Sequence, residues 1–526
     1  MRIFIYILFI FLSQVAGAQQ SSIESSLKKH ISFLADDKLE GRRAGTDGER
    51  KAMEYIAQQF KNNGLQPKGT NSFYQPFEIR DGKAMGSKTK LEINGRKLKQ
   101  DEDFFVFPFS ADAISTAVPV LVSLDSLSAE AESNPHFDFN DAIFKKAEEL
   151  QSEGAKAIYF TTSAGKQTPQ FNKKFNGSRL HIPVIYLHKE IFDIFENPGV
   201  VKTRLLQTQI IDQMRTGHNV IGYIDNNAAN TIVLGAHFDH LGYGEDGNST
   251  WRGEGKQIHN GADDNASGTA ALIELSRLLK SSNAKKNNYL CIAFSGEELG
   301  LFGSKYFVEN PTINLANINY MINMDMIGRL NDSSKTLTVG GFGTSPAWPR
   351  VIKSNKDFNI KIDSSGSGPS DHTSFYRKDI PVLFYFTGLH ADYHKPSDDF
   401  DKINYKGTAL ITQNIYNLIQ QLNNSPKLAF TKTKEQQIVN TSFKVTLGIM
   451  PDYTYSGVGV RADGVTEGRP AAKAGLQGGD IIIRIGEFDI PDINAYMKAL
   501  GQFKKGDSTT VTFKRVAEEK EVSLTF

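Results

Sequence analysis

The sequence has 526 residues, a length that predicts about three domains. Charged residues make up 23% of the chain and hydrophobic residues 39%, a balance typical of folded soluble domains and not of disordered or multi-span membrane proteins. Basic and acidic residues number 60 and 59, so no positive excess favours nucleic acid or an anionic membrane as a partner, and we expect no nucleic-acid ligand.

A short apolar segment stands at the N-terminus. Ile3–Leu12 follows Arg2 and is succeeded by the small residues Ala16–Ala18. This combination predicts a secretory signal peptide over residues 1–18, and an exported chain, periplasmic or extracellular, that begins near Gln19. A transmembrane helix needs about 20 apolar residues, more than this run provides, and no cysteine follows the cleavage site to carry a lipid. We therefore expect no membrane anchor.

The next two segments differ in their pattern of predicted helices and strands. Residues 19–109 begin with two helical patterns and continue in short strand-like runs, which we take as the first part of a larger domain. Residues 110–216 alternate between strands and helices, which indicates a small inserted α/β module. Within it, residues 144–160 followed by His181–Val184 resemble the protease-associated domain. That domain is often inserted into exported peptidases, so the resemblance implies a peptidase as the host.

Strong alternation of strands and helices extends over residues 217–424 and predicts a mostly parallel central sheet with helices on both faces. The only cysteine, Cys291, lies within a predicted strand, where a small core residue is favoured over a reactive thiol. Residues 425–440 are polar and predict a linker. The predicted strands are Thr231–Ala236, Tyr289–Phe294, Tyr320–Met324 and Pro381–Phe386, and the predicted helices are Ser267–Lys280 and Tyr405–Leu422.

Residues 441–526 consist of short strands and turns, and the run Arg469–Ile482 makes them similar to a β-rich PDZ domain of the bacterial type. Successive backbone N–H groups of the loop formed by Leu447, Gly448 and Ile449 can hold the terminal carboxylate of a peptide that adds a strand to the sheet edge. A C-terminal peptide is therefore a possible ligand here. The alternative is a domain that only packs on the rest of the chain or mediates assembly.

Metal-binding residue types follow the predicted strands of residues 217–424. In a doubly wound sheet, ligands gather at the carboxyl ends of the strands. A histidine and a carboxylate for each of two cations, with one carboxylate to bridge them, are the minimum that holds two zinc ions around a shared water. The segments that offer these groups are His237–Asp239, Gly261–Gly268, Ser295–Glu298, Asn323–Met326 and Thr387–Lys395.

With these motifs, residues 25 to about 422 resemble the co-catalytic di-zinc aminopeptidases. The resemblance implies a zinc-exopeptidase fold and two Zn²⁺ per chain. It assigns each ligand by its motif: one ion is held by His237 and Asp325, the other by Glu298 and His394, and Asp264 bridges them.

Two further carboxylates are expected to act in catalysis. Asp239 stands two residues after His237, and on an extended segment it shares a face with that ring and can fix its tautomer. Glu297 points differently from its neighbour Glu298. We expect Glu297 to be the general base that takes a proton from the water between the metal ions and passes it to the leaving amine. The implied function is an exported aminopeptidase that hydrolyses peptides with a free N-terminus.

Other polar residues near these motifs are expected to play smaller parts. Asp263 is expected to support its loop, and His240 and His259, in the loop of residues 240–260, to be solvated or at a rim. Asp371 and His372 resemble a family pair with a structural or supporting use.

Some family members have a tyrosine a few residues before that pair, able to bind the developing oxyanion, whereas this chain has Ser367, Gly368 and Pro369. Zinc, or another donor such as Tyr393, must then serve.

Two alternatives to the aminopeptidase remain. A glutaminyl cyclase, a single-zinc transferase, is similar to the same family, and the number of metal ions would distinguish it. A non-catalytic scaffold could bind peptides through the inserted and PDZ domains, although such relatives typically lose metal ligands. All five ligand positions are retained here, which favours the enzyme.

Overall fold

The computed structural model describes residues 20–133, 137, 139–173, 175, 178–196, 201, 203–251, 253, 255–433, 445–451, 458–465, 468–491, 493–516 and 518–526. The predicted signal peptide and residues 434–440 of the predicted linker lie outside these ranges. The chain divides into two compact units. One comprises the described residues up to Ile79 together with Thr216–Phe526, and the other is Arg80–Arg215.

The helices, in chain order, are α1 (20–34), α2 (Asp47–Asn62), α3 (Asp125–Ser133), α4 (Phe139–Ser152), α5 (Lys189–Glu196), α6 (Gly268–Lys280), α7 (Phe302–Glu309), α8 (Trp348–Val351), α9 (His372–Tyr376), α10 (Tyr405–Leu422), α11 (Pro470–Lys473) and α12 (Ile493–Leu500). Two shorter helical turns are Asp37–Arg42, which includes Arg42, and Ala262–Ser267, which includes Asp264.

The strands up to the return into the first unit are β1 (Gln66–Pro67), β2 (Tyr74–Met85), β3 (Lys90–Ile93), β4 (Arg96–Lys97), β5 (Phe104–Val106), β6 (Ala113–Ser115), β7 (Val120–Ser123), β8 (Ile158–Thr161), β9 (Val184–Leu187), β10 (Arg204–Thr208) and β11 (Ile210–Ile224). The later strands are β12 (Thr231–His237), β13 (Asn288–Phe294), β14 (Ile318–Met324), β15 (Thr336–Gly340), β16 (Asn359–Ile362), β17 (Val382–Phe386), β18 (Ile449–Pro451), β19 (Val460–Val465), β20 (Ile481–Ile485), β21 (Phe488–Asp489), β22 (Ser508–Arg515) and β23 (Glu518–Thr525).

The central sheet of the first unit has the strand order β1-β11-β13-β12-β14-β17-β15-β16, with β2 also paired to β11. Its middle strands β13, β12, β14 and β17 are parallel, as the alternation of strands and helices predicts. His237 pairs with Phe294, and Met324 pairs with Tyr385. The carboxyl ends of the parallel strands therefore meet at one edge of the sheet.

Both faces of this sheet are covered by helices. Side chains alternate along each strand, so alternate residues of one strand contribute to different cores. Tyr289, Cys291 and Ala293 of β13 join the core that also contains residues of α1, α2, α6 and α10. Leu290 and Phe294 face the opposite core, which contains residues of α7 and α9. The predicted strands and helices of residues 217–424 are confirmed to within two residues. Cys291 is fully buried, as predicted, and burial raises the pKa of its thiol.

The unit Arg80–Arg215 begins earlier than the predicted boundary at residue 110. Its two sheets have the orders β4-β3-β10-β6 and β5-β9-β8-β7. Strands β3, β4 and β5, which precede residue 110, pair with β9 and β10 or with each other, so they belong to this unit. The mixture of α3, α4 and α5 with parallel strands β7, β8 and β9 agrees with the predicted small α/β module, and the protease-associated assignment stays a prediction.

The C-terminal region forms the β-rich sheet β18-β19-β20-β22-β23, with β21 paired to β20. Leu447, Tyr496 and Phe513 contribute to its separate apolar core. The first part of the predicted linker packs against the preceding domain, since Leu428 is buried in the core of the central sheet and the Thr431 N–H donates to the carbonyl of Thr344.

Among the helices within the described ranges, none is both long enough and apolar enough to cross a lipid bilayer.

Gly268, the first residue of α6, sets how closely this helix approaches β14. A Cβ atom there would lie 2.3 Å from the carbonyl oxygen of Met324. We therefore expect Gly268→Ala to lower the free energy of unfolding by about 1–3 kcal/mol, since backbone must move to admit the methyl group. Thermal denaturation beside Lys280→Ala, a surface change on the same helix, checks this. Stabilisation by Gly268→Ala, as helix propensity alone would give, would contradict it.

Candidate metal centre

The residues predicted to bind metal converge at the carboxyl edge of the central sheet. His237 ends β12, Glu298 follows β13, Asp325 follows β14, and His394 lies in the loop after β17. Asp264 belongs to the turn Ala262–Ser267 that leads into α6. All five line one cavity of about 300 Å³. The fold thus brings together side chains that are as much as 157 residues apart in the sequence, from His237 to His394.

Asp264 lies between two groups of side chains. Its Oδ1 atom is 3.3 Å from Nε2 of His237, which is 3.2 Å from Oδ1 of Asp325. Its Oδ2 atom is 3.3 Å from Nε2 of His394, which is 3.2 Å from Oε2 of Glu298. Each oxygen of Asp264 therefore faces a different histidine and a different terminal carboxylate, which is the arrangement of a bridging ligand.

These spacings fit zinc. A tetrahedral zinc ion with bonds of about 2.0 Å to nitrogen and oxygen separates neighbouring donor atoms by about 3.3 Å. The four distances around Asp264 lie within 0.1 Å of that separation. The ligand atoms of His237, Asp264 and Asp325 all lie within 4.8 Å of one another. Imidazole nitrogen and carboxylate oxygen are also the donors that zinc takes in catalytic sites.

Both histidines are held with Nε2 turned toward the carboxylates. Nδ1 of His237 lies 3.2 Å from the carbonyl oxygen of Asp239, and Nδ1 of His394 lies 2.8 Å from that of Asn248. A carbonyl only accepts, so each ring donates from Nδ1 and leaves the lone pair of Nε2 for a metal. The sequence gives no sign of Asn248, because it acts through its backbone.

Asp325 and Glu298, the carboxylates that do not bridge, are also oriented by hydrogen bonds, each through the oxygen that does not face a metal-facing histidine. Ser370 donates its hydroxyl to Oδ2 of Asp325 at 2.7 Å, and Nδ1 of His240 lies 2.8 Å from Oε1 of Glu298. Each terminal carboxylate thus uses one oxygen for a hydrogen bond and offers the other to the metal-facing histidine. Ser370 directly precedes the Asp371 and His372 pair, so the motif pointed to the segment although not to this residue.

The prediction for Asp239 needs correction. Its carboxylate Oδ1 is 3.7 Å from Nδ1 of His237, beyond hydrogen-bond distance, and its backbone carbonyl orients the ring instead. The side chain accepts the backbone N–H of Glu297 at 3.2 Å. The reason is that β12 ends at His237, so the two-residue alternation of an extended strand no longer applies to Asp239.

The predictions that His240 and His259 are solvated or at a rim are wrong, because both are buried. The His240 ring lies against Gly261, where a Cβ atom would come within 2.5 Å of it, and Gly261 has a φ of +56°. Ligand atoms of His240, Asp264 and Glu298 also lie within 4.8 Å of one another. Its 2.8 Å approach to Glu298 and 3.9 Å separation from Asp264 fit a hydrogen-bond donor better than a metal ligand.

The electrostatics of the centre favour bound cations. Burial opposes the ionisation of Asp264, yet His240, His237 and His394 together hold its pKa well below the usual range. Burial also opposes the ionisation of Glu298, yet His394 and His240 lower its pKa to about 2. Conversely, the carboxylates raise the pKa of His237 and His394 well above the ordinary value despite burial. Charged carboxylates this close require positive charge between them.

Arg42 fastens the segments that carry these ligands. Its fully buried guanidinium donates to the carbonyl oxygens of Phe238 at 2.7 Å, Asn260 at 2.6 Å and Gly261 at 3.0 Å, and also to that of Leu34. The pKa of Arg42 is lowered to about 10 by burial, although the nearby carboxylates raise it. Arg42 thereby holds the backbone just before His240, at Phe238, and the backbone just before Asp264, at Asn260 and Gly261.

Glu297, the predicted general base, and Tyr393 also line the cavity. Glu297 lines it beside Glu298, and burial together with Asp325, Asp371 and Glu298 keeps its pKa well above the ordinary value, although His237 lowers it. Tyr393 stacks on His394 with ring centroids 3.9 Å apart.

Asp263 supports its loop, as predicted, by accepting the Gly328 N–H at 2.6 Å.

The predicted carboxylate-binding loop of the C-terminal domain lies at the start of β18. Leu447 is fully buried in the core of that domain, and the Gly448 N–H donates to the Thr446 hydroxyl at 3.0 Å. Arg469 packs over Gly448, which has a φ of +77°. Ile449 lines the cavity that contains the metal-binding residues. The peptide-binding role of these three residues stays a prediction.

Residues 219–419 match the description "Peptidase family M28", and residues 445–526 match "PDZ domain". The chain therefore contains a peptidase family M28 domain. The M28 match includes all five metal-facing residues, with Asp239 and Glu297. The C-terminal β-rich region is a PDZ domain, as predicted.

Aminopeptidase YwaD of Bacillus subtilis (strain 168) is 24% identical over 299 residues, 53% of this chain and 60% of that protein. Leupeptin-inactivating enzyme 1 of Streptomyces exfoliatus is 30% identical over 196 residues, 36% of this chain and 39% of that protein. Of the solved structures, BSAP, a zinc aminopeptidase from Bacillus subtilis, is 20% identical with a TM-score of 0.44, and the match covers 78% of this chain and 96% of that one. The matches thus span 60% and 39% of the two curated relatives.

Replacing Arg42 tests how far the metal-facing loops depend on the several N–H donors of its guanidinium. Lysine keeps the charge but cannot reach the same set of carbonyls, and each carbonyl left without a donor costs about 1–3 kcal/mol. We expect Arg42→Lys to lower the free energy of unfolding by at least about 3 kcal/mol and to reduce metal retained through gel filtration. Arg50→Lys, an exposed change of the same kind, is the control. Equal melting temperatures for the two variants would contradict this.

Variants of His240 separate its hydrogen bond from its bulk. Asparagine can place an amide N–H where Nδ1 of His240 lies, whereas leucine removes the donor. We expect His240→Leu to weaken metal binding about 10–100-fold, the usual effect of losing such a supporting partner, and His240→Asn to restore most of it. Competition with a chromophoric chelator measures the affinity. If both variants bind metal as the wild type does, Glu298 does not depend on His240.

Proposed function

We propose that this chain is an exported aminopeptidase that binds two zinc ions and hydrolyses the N-terminal peptide bond of peptides, with Glu297 as general base. The observation that carries the proposal is the position of Asp264. Each of its oxygens faces one histidine, and each histidine faces one further carboxylate, at separations that suit tetrahedral zinc. The resemblance of the motifs to di-zinc aminopeptidases and the M28 match support the same reaction.

His237, Asp264 and Asp325 would hold one ion, and Glu298, His394 and Asp264 the other. When bound, the ions would supply Lewis acidity that lowers the pKa of a water and polarises the carbonyl of the scissile bond.

Glu297 is suited to move the proton. It lines the cavity next to Glu298, and its backbone N–H is fixed by the carboxylate of Asp239. Burial and the neighbouring carboxylates raise the pKa of Glu297, which increases the affinity of its carboxylate for the proton that it would take up. Glu297 would take the proton from the attacking water and transfer it to the nitrogen of the departing peptide, which leaves as an amine.

The other walls of the cavity would orient the substrate and exclude water. Met326, Phe384 and Phe386 supply apolar surface beside the carboxylates. Among the described residues, the Tyr393 hydroxyl has no hydrogen-bond partner, so it is free to donate to the oxygen that becomes negative during attack. Tyr393 therefore serves in this proposal as the oxyanion donor, in place of the tyrosine that some family members carry where this chain has Ser367, Gly368 and Pro369.

Export rests on the predicted signal peptide, Arg2 followed by Ile3–Leu12 and Ala16–Ala18. N-terminal sequencing of the protein recovered outside the cytoplasm should begin near Gln19. Recovery of a chain that still begins at Met1 from the cytoplasm would contradict export.

The decisive experiment combines metal content with turnover of aminoacyl chromogenic substrates. We expect two zinc ions per chain and activity that a chelator removes and zinc restores. Glu297→Gln should keep the zinc while lowering kcat about 10²–10⁴-fold, because only the proton acceptor is lost. Glu54→Gln, on the exposed surface of α2, should behave as the wild type.

Other outcomes would overturn the proposal. One zinc ion with cyclisation of N-terminal glutamine would make the chain a cyclase. Full activity of Glu297→Gln would remove that residue from catalysis. Absence of both metal and turnover would leave a peptide-binding protein on a peptidase fold.

A further inference from the structure

Two residues of the PDZ domain line the cavity of the metal centre. Ile449 and Pro451 lie on its wall together with the metal-facing residues His237 and Glu298. Both belong to β18, outside the M28 match that ends at residue 419. The M28 and PDZ domains fall within the same compact unit of the structure. The cavity is therefore built from residues of two domains that follow one another in the sequence.

The geometry of β18 explains why these two residues share the wall. Residues two apart on a strand point to the same face, so Ile449 and Pro451 project together. Ile449 pairs with Val465 and Pro451 with Ala462 of β19, and β18 is the outermost strand of the PDZ sheet. The strand is thus anchored on one side by β19 while its side chains reach the cavity.

The wall that β18 completes is apolar. The M28 domain supplies Met326, Phe384, Phe386 and Leu389, and the PDZ domain adds an isoleucine and a proline. The five metal-facing residues lie around Asp264, and the lining also includes the polar residues Thr338, Asp363, Ser367 and His372. A peptide whose scissile bond lies at the metal centre would then place a neighbouring side chain against apolar surface to which both domains contribute.

We infer that β18 of the PDZ domain is a specificity element of the aminopeptidase, and that Ile449 and Pro451 set the size of the substrate side chain that the cavity accepts. This inference rests on the proposed function. It gives the PDZ domain a part in the catalytic cavity in addition to any peptide held by its own loop. Selection by size follows because an apolar wall discriminates through the volume that it leaves.

The test varies the volume of the wall in the full chain. Ile449→Phe should lower kcat/KM for phenylalanyl and leucyl p-nitroanilides about tenfold relative to the alanyl substrate, since the larger side chain takes up about one methylene group of cavity volume. Ile449→Ala should shift the ratio in the opposite direction. Val516→Ala, at a fully exposed position of the PDZ domain, is the matched control and should leave every ratio unchanged. Ratios unchanged in both Ile449 variants would overturn the inference.

A second measurement does not depend on turnover. The only native thiol, Cys291, is buried, so a cysteine introduced by Ile449→Cys can be labelled selectively with a maleimide. Free L-leucine, a probe that the proposed reaction does not consume, should slow labelling at this position and not at Val516→Cys. Equal labelling rates with and without the probe would overturn the inference. Absence of turnover in the wild type, with labelling still protected, would instead refute the proposed function and leave the place of β18 in the cavity supported.

Discussion

The arrangement of the metal centre depends on one buried guanidinium. Arg42 lies near the start of the described chain, yet three of its acceptors belong to Phe238, Asn260 and Gly261, on either side of the metal-facing loops. Loops carry unpaired carbonyls that are expensive to bury, and a planar fork with several donors can satisfy a group of them at once. With those carbonyls satisfied, the backbone of the loops can be buried, and Gly261 can approach the ring of His240.

A second constraint is the crowding of negative charge. Asp239, Asp264, Glu298 and Asp325 are all buried or nearly so around one edge of the sheet. Such groups are costly to bury without hydrogen-bond donors or opposite charges nearby. The structure supplies donors to several of the oxygens, such as the Ser370 hydroxyl to Asp325 and the Glu297 backbone N–H to Asp239, whereas Oδ2 of Asp239 has no hydrogen-bond partner among the described residues. Oδ1 of Asp264 and Oδ1 of Asp325 lie near Nε2 of His237, and Oδ2 of Asp264 and Oε2 of Glu298 lie near Nε2 of His394. Positive charge is needed at these two places.

The sequence predicted the framework better than its supporting contacts. Buried strands such as β12 and β13 have continuous apolar patterns, and the ligands follow them directly, so topology and motif together located His237 and Glu298. The polar sequence of its loop predicts a solvated His240, whereas in the structure its ring lies against Gly261 and its backbone N–H donates to the carbonyl of the distant Arg42. The predicted boundary at residue 110 differs from the start of the compact unit for a similar reason, since the partners of β3 and β5 are strands about 80 to 120 residues later. Pairings and contacts between distant segments leave no local pattern.

The distance along the chain between Arg42 and its acceptors also bears on the order of folding. Its partners in the metal-facing loops lie 196 to 219 residues later, and the whole unit Arg80–Arg215 is synthesised between them. Domains generally form as units, so Arg80–Arg215 can complete its own cores while α1 and α2 still lack the sheet they cover. Closure of so long a segment is entropically costly and makes this step slow. The apolar faces of α1 and α2 can therefore be covered only after β12, β13 and β14, which contribute to the same core, have been synthesised.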